Sequence, residues 1–132
     1  MPMTPTIYCP FCTLPAHRVR DEREHAIWIL DGYPVTPGHS LVIPKRHVGS
    51  FFETTDAERA DLLALLDTAK QHLEQLHKPA GYNVGINDGA AAGQTVPHMH
   101  LHLIPRYDGD SKDPRGGVRW VIPEKADYWS MQ

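Results

Sequence analysis

His98, His100 and His102 alternate with Met99, Leu101 and Leu103 in the segment 94–106. Imidazoles so placed can attack an electrophile, move protons or bind metal, because a neutral ring carries a lone pair on one nitrogen and a proton on the other near pH 7. The period of two is that of a strand, on which the three rings share one face and the three apolar side chains the other. At about 3.3 Å per residue, His98 and His102 stand roughly 13 Å apart, so one ion cannot take all three. The spacing favours a charged substrate laid along the strand, with at least one ring as nucleophile or proton carrier. A ring that attacks must hold its other proton against a fixed acceptor, and a backbone carbonyl is the expected one. One strand repeat beyond His100, the charged form of His102 would neutralise phosphate oxygens or help a leaving group depart. Ahead of the row, Gly93 allows close backbone approach, Thr95 adds a hydroxyl, and the amides of residues 94–96 make a small anion nest. A plain strand connection is the alternative reading of that loop.

Cys9 and Cys12 form a second constellation. In an intracellular chain this spacing points to zinc or redox chemistry rather than a structural disulfide, and no helix pattern follows to support a thioredoxin-like motif. Two free buried cysteines are the alternative.

The elements that must position these residues are legible from periodicity. Residues 25–30 and 40–44 read as strands joined by the turn-rich segment 31–38. Thr55 and Glu58 have capping-box spacing, and Leu62, Leu63, Leu65, Leu66, Ala69, Leu73 and Leu76 recur at helical intervals until Pro79 and Gly81. One long amphipathic helix is expected there. Residues 82–86 and 98–105 supply two more strands, so a sheet with a helix on one face follows. After Tyr107 comes a polar tail with a short apolar run at 118–123.

The 132 residues are enough for one compact core and too few for two domains. A net charge of −3, with scattered signs and no basic stripe, offers nothing to nucleic acid and suits a small nucleotide. No signal peptide or 18-residue apolar run is evident, so a cytoplasmic protein with no membrane span is expected.

Residues 98–104 resemble the signature of the histidine triad (HIT) family, in which histidines and apolar residues alternate beside a phosphate-binding loop. Residues 93–96 resemble that loop, and residues 31–47 resemble the family's other characteristic block. The similarity covers about residues 7–107. It implies an α+β fold with an antiparallel sheet, one long helix and a short second helix or turn. By the same resemblance, residues 1–132 form one HIT domain with 108–132 as its tail, paired into a homodimer. The implied chemistry is two-step nucleotidyl transfer at the α-phosphorus of a nucleoside phosphoramidate or dinucleoside polyphosphate, with His100 carrying the covalent intermediate. His39 matches a fourth histidine behind the row, and Asp31 matches the residue that binds both ribose hydroxyls, although Asp31 and Gly32 are also an ordinary turn pair. Asn87, Gly93, Gln94, Thr95, Val96 and His102 match the phosphate-binding set. Phe11 and Leu14 are walls for an apolar base slot, with adenine or another purine as its occupant, or plain core. In zinc-bearing relatives such as galactose-1-phosphate uridylyltransferases the metal is shared with the triad, which here implies Cys9, Cys12, His47 and His98. His17, His25, His72 and His77 match nothing and read as surface residues. A nucleotide-binding regulatory or scaffold protein with little turnover is the rival function, against which the presence of His100 argues.

Overall fold

The structure is a computed structural model that describes residues 8–131. Residues 1–7 and 132 lie outside it, and with them the first residue of the resemblance, Ile7. The elements are β1 (Val19–Glu22), β2 (Ala26–Leu30), β3 (Ser40–Pro44), α1 (Asp56–His77), β4 (Gly81–Ile86), β5 (Leu101–Arg106) and α2 (Pro123–Ala126), with short 3-10 turns between them. The five strands form one antiparallel sheet in the order β1-β2-β3-β5-β4. An α+β architecture with one long and one short helix is therefore present, the sheet and long helix as the spacing predicts and the short helix as the resemblance implies.

Alternation divides the sheet into two apolar faces. Trp28, Val42, Met99, Leu101 and Leu103 point to one side and pack beneath Leu62, Leu65, Ala69 and Leu73 of α1. Ile29, Leu41 and Ile43 point to the other, where Phe11 and Leu14 from the amino-terminal segment cover them. His102 pairs with Leu41 across β5 and β3, so the histidine row lies on the second face. All five residues of β3 are buried, which makes it the rigid floor for both layers.

Two differences from the sequence reading have local causes. The ladder of β5 begins at Leu101, not at 98, because the chain at His98 and Met99 bonds elsewhere: the His98 amide donates to Val96 O (2.8 Å) and the Met99 amide to Val48 O (2.8 Å). Strand β1 carries no apolar alternation and a bulge between Val19 and Asp21; it forms by backbone pairing to β2 at the sheet edge, which side-chain periodicity does not report. Between β2 and β3, Gly38 sits at φ +89°, and a Cβ there would meet Leu73 Cδ2 at 2.9 Å and Pro105 Cγ at 3.3 Å. Only glycine satisfies both the left-handed backbone and the close approach. Among the described residues no helix is long and apolar enough to cross a membrane.

Helix α1 starts on a complete capping box: Glu58 N donates to Thr55 Oγ1 (3.1 Å) and Thr55 N to Glu58 Oε1 (2.8 Å). The same carboxylate takes both arms of Arg46, at 2.9 Å each, and so ties the end of β3 to the helix one residue before His47. The Arg46 hydrogen bonds, ahead of the backbone bond from Thr55, hold the Glu58 carboxyl at about 2. A carboxyl depressed from its unfolded value near about 4.3 stabilises the fold fully above that value and loses the contribution as pH falls towards 2. Glu58→Ala should therefore cost about 2 kcal/mol at neutral pH, counting the cap and a half-exposed ion pair. Urea unfolding from pH 7 to pH 2.5 should show the gap to wild type closing below pH 4; a gap that stays constant would assign the acid sensitivity to other carboxylates.

Candidate active site and metal-ligand cluster

His98 is fully buried, and its Nε2–H donates to Pro44 O at 2.8 Å. That bond leaves the lone pair on Nδ1, which faces Cys9 Sγ at 3.4 Å and Cys12 Sγ at 3.5 Å. Cys12 Sγ lies 3.2 Å from His47 Nδ1, and the four donor atoms all fall within 4.8 Å of one another. Four ligands held about 2.0–2.3 Å from a tetrahedral zinc are separated by roughly 3.3–3.8 Å, so the donor set and its spacing fit that ion. The Pro44 carbonyl stands where an outer partner would orient a metal-binding imidazole. The cysteines stand on a tight turn closed by Cys12 N donating to Cys9 O at 3.1 Å.

His100 donates Nδ1–H to the carbonyl of His98 at 2.9 Å, which leaves the lone pair on Nε2. Phe11, between the two cysteines, sets its ring edge-on against both His98 and His100, with centroids 5.8 and 5.1 Å away. The next ring is governed from the turn after β2. Val35 N–H donates to His39 Nδ1 at 3.1 Å, so the proton of neutral His39 resides on Nε2, 2.9 Å from His102 Nδ1. His102 consequently keeps its proton on Nε2. Burial, followed by the neighbouring His100 and His39, pushes His102 down to about 4. The free protein thus presents His102 as a neutral hydrogen-bond donor, not as the cation that the sequence reading favours for neutralising phosphate. Asp31 Oδ2 lies 3.4 Å from His39 Nε2. Asp31, His39 and His102 are close enough to suggest a second metal cluster, yet the proton on His39 Nε2 makes that atom a donor and not a ligand.

These groups meet in a pocket of about 550 Å³. Phe11, Leu14, Ile29 and Leu41 form an apolar part of its lining, and Asp31, Asn87, Gly93, Thr95, Val96, His100 and His102 also line it. Asp31 Oδ1 accepts Tyr33 N–H at 2.8 Å, so the turn contact exists, while Oδ2 remains directed towards His39. Within the loop, the amide N–H of Gln94 donates to Gly89 O (3.1 Å), and its side chain bridges Gly89 N, Gly49 O and Val96 O. Gln94 lies behind the pocket as a brace. The Gly93 amide bonds to Ala90 O, which leaves the Thr95 and Val96 amides as the loop donors with no acceptor among the described residues. Val35 N–H, Pro44 O and His98 O, which control the three tautomers, were not singled out from sequence because main-chain groups carry no residue signature. His17, His25, His72 and His77 lie outside this arrangement; the His72 ring meets Trp28 edge-on at 5.3 Å on the helix side.

A model of the HIT domain matches residues 15–109. The chain belongs to the HIT family. An uncharacterized HIT-like protein of Methanocaldococcus jannaschii is 41% identical over 111 residues, which span 79% of this HIT protein and 83% of the relative. AP-4-A phosphorylase of Mycobacterium tuberculosis is 39% identical over 84 residues, 63% of this chain and 43% of the phosphorylase. The asymmetrical bis(5'-nucleosyl)-tetraphosphatase of Schizosaccharomyces pombe is 44% identical over 77 residues, 58% of this chain and 42% of the other. Among solved structures, a HIT family protein from Bacillus subtilis superposes with a TM-score of 0.71 at 36% identity, covering 77% of this chain and 75% of that one. A Zn-bound histidine triad family protein from Mycobacterium smegmatis gives 0.69 at 40% identity, covering 80% and 79%.

The protonation pattern of the row is open to direct observation. Nitrogen chemical shifts should place the His102 proton on Nε2 and the His100 proton on Nδ1 at pH 7, and His102 should stay neutral until the pH approaches about 4. Because its folded value lies below the unfolded value of about 6.5, the unfolded chain binds more protons between the two, and stability drops as pH falls through that window. A His102 titration midpoint near 6.5 would refute the arrangement.

Proposed function

We propose that this HIT protein is a nucleotide hydrolase or transferase that cleaves at the α-phosphate of a nucleoside phosphoramidate or dinucleoside polyphosphate, through a nucleotidyl intermediate on His100. The carrying observation is the bond from His100 Nδ1–H to His98 O, which turns an Nε2 lone pair into a pocket otherwise rich in donors. In the first step Nε2 bonds to phosphorus, and the electron pair of the broken bond leaves with the departing group, which takes up a proton. In the second, water adds to phosphorus, the N–P bond breaks and Nε2 recovers its lone pair. The Thr95 and Val96 amides, the Thr95 hydroxyl, Gly93, Asn87 and His102 Nε2–H hold the phosphoryl oxygens, which is where donors are worth most during charge development. Gln94 supports this set from behind, and His39 keeps His102 in its donor form. Asp31 Oδ2 accepts from the ribose, and Phe11 and Leu14 enclose a purine. The relatives whose names specify dinucleoside tetraphosphate chemistry lend support to the substrate class.

The same reading places zinc on Cys9, Cys12, His47 and His98, where it supplies a tetrahedral crosslink between the amino-terminal segment and the histidine row; the Zn-bound relative supports it. It also takes the protein to be a cytoplasmic homodimer, for which the exposed edge strand β4, with Val84 on its surface, offers a place to continue the sheet.

His100→Ala should reduce nucleotidyl transfer by several orders of magnitude while nucleotide affinity persists, since no other side chain in the pocket can form the intermediate. A loss below tenfold in single-turnover rate would defeat the assignment. For the metal, elemental analysis of protein purified without chelator should return about one zinc per chain, and chelation should lower the melting temperature. A zinc content near zero with unchanged melting after chelation would remove the metal from the scheme.

A further inference from the structure

The pocket that holds His100 extends across the strands of the sheet. His102 on β5 pairs with Leu41 on β3, Leu41 with Ile29 on β2, and Ile29 with Val19 on β1. Leu41 and Ile29 are buried and, with Phe11 and Leu14, give the pocket an apolar floor between the histidines and the sheet edge. Three strand spacings of about 4.8 Å carry this row roughly 14 Å from His102. Arg18, the residue before β1, lines the pocket from that edge. Its Nη2 lies 3.8 Å from where a Cβ on Gly32 would stand, so the guanidinium sits beside the turn that carries Asp31.

The guanidinium is anchored but largely unspent. Arg18 Nη2–H donates to Leu30 O at 2.9 Å, the side chain's one hydrogen bond among the described residues. A guanidinium has five N–H groups in one plane, so four remain. Arg18 is half-buried, and among the described residues it makes no ion pair. Asp31, the one carboxylate in the pocket lining, is already engaged: Oδ1 accepts from Tyr33 N–H and Oδ2 faces His39. Shielding a cation from water without a counter-charge costs free energy that a ligand acceptor can offset. A phosphate held at His100 lies across the apolar floor, out of this side chain's reach. The far edge of a base is not. Guanine offers N7 and O6 as two acceptors side by side, which a planar guanidinium meets with two parallel N–H groups, whereas adenine has an amino donor where O6 stands.

We propose that Arg18 reads the base, and that through it the pocket selects a 6-oxopurine nucleotide, of guanine or hypoxanthine, over the adenine nucleotide. The proposal rests on the nucleotidyl reading above, which puts the α-phosphate at His100 and the ribose at Asp31. The bond to Leu30 O fixes the fork before a ligand arrives, so two N–H groups are aimed without further ordering of the side chain. An adenine amino group in the same place would meet a donor, and Asp31 has no oxygen free to take it. The amino group on C2 of guanine plays no part in this contact, so inosine and guanosine nucleotides are treated alike.

Calorimetry on the full-length protein, purified without chelator, would compare the 5'-monophosphates of guanosine, inosine, adenosine and 7-deazaguanosine. The guanosine and inosine nucleotides should bind about tenfold more tightly than the adenosine one, within the range of a single bidentate arginine–guanine contact. Loss of N7 in the 7-deaza nucleotide should remove most of that gain. Arg18→Met, which keeps the apolar stem, should erase the difference between the guanosine or inosine nucleotide and the adenosine one. The 7-deaza comparison uses the unaltered protein, so it decides even if Arg18→Met does not fold. Tighter binding of the adenosine nucleotide, a 7-deaza nucleotide as tight as its parent, or a bias that survives in Arg18→Met would overturn the proposal. So would an equal loss for every nucleotide in Arg18→Met, which would make Arg18 a phosphate contact. Equal affinity for all four would remove the role of Arg18 and leave the nucleotidyl reading standing, whereas binding of none of them would remove both.

Discussion

Main-chain groups decide which nitrogen of each imidazole carries the proton, and the chemistry of the site depends on that choice. Pro44 O takes the His98 proton, His98 O takes the His100 proton, and Val35 N–H forces the His39 proton towards His102. Each bond is individually ordinary, on the order of 1 kcal/mol. Their joint effect is to present lone pair, lone pair and donor in succession along the chain into β5: Nδ1 of His98 to the cysteines, Nε2 of His100 to the pocket, and Nε2–H of His102 beside it. No rotamer change is needed before a substrate arrives, which is the preorganisation that electrostatic catalysis requires.

The frame that holds these carbonyls explains why the sheet is built as it is. Strand β3 lies between β2 and β5 with every residue buried, so Pro44 O and the His39 ring occupy positions with little freedom. At its end, Arg46 is clamped to Glu58 at the start of α1, and His47 follows at once. Helix capping and the placement of the His47 ring beside the cysteines are thus mechanically adjacent. On the opposite face, Phe11 joins the cysteine turn to the His98 and His100 rings and also walls the pocket.

Much of this was readable in the chain. The period-two run at 98–103 identifies the shared face of the three rings, because burial of Met99, Leu101 and Leu103 under α1 enforces it even where the ladder has not yet begun. The capping box at Thr55 and the stop at Pro79 delimit α1 for reasons local to the sequence. What escaped was main-chain in origin: the edge strand β1, the diversion of His98 and Met99 into loop hydrogen bonds, and the inward turn of the Gln94 amide. The neutral state of His102 also escaped, since it arises from burial and from rings that only the fold brings together. Asp31 shows a different limit, for its two oxygens serve the turn and the pocket at once, and sequence reasoning treated those as rivals.

His98 performs two separable jobs, one through its ring and one through its carbonyl. The carbonyl orients His100 whatever side chain residue 98 bears, provided the backbone keeps its course; the ring faces the cysteines through one nitrogen and Pro44 through the other. A descendant that discarded both cysteines would still gain from a histidine here, because its bond to Pro44 O would continue to stitch the segment leading into β5 to the end of β3. The first histidine of the row can therefore outlive the cysteine pair in evolution, and its presence in a sequence does not by itself reveal whether the cysteines accompany it.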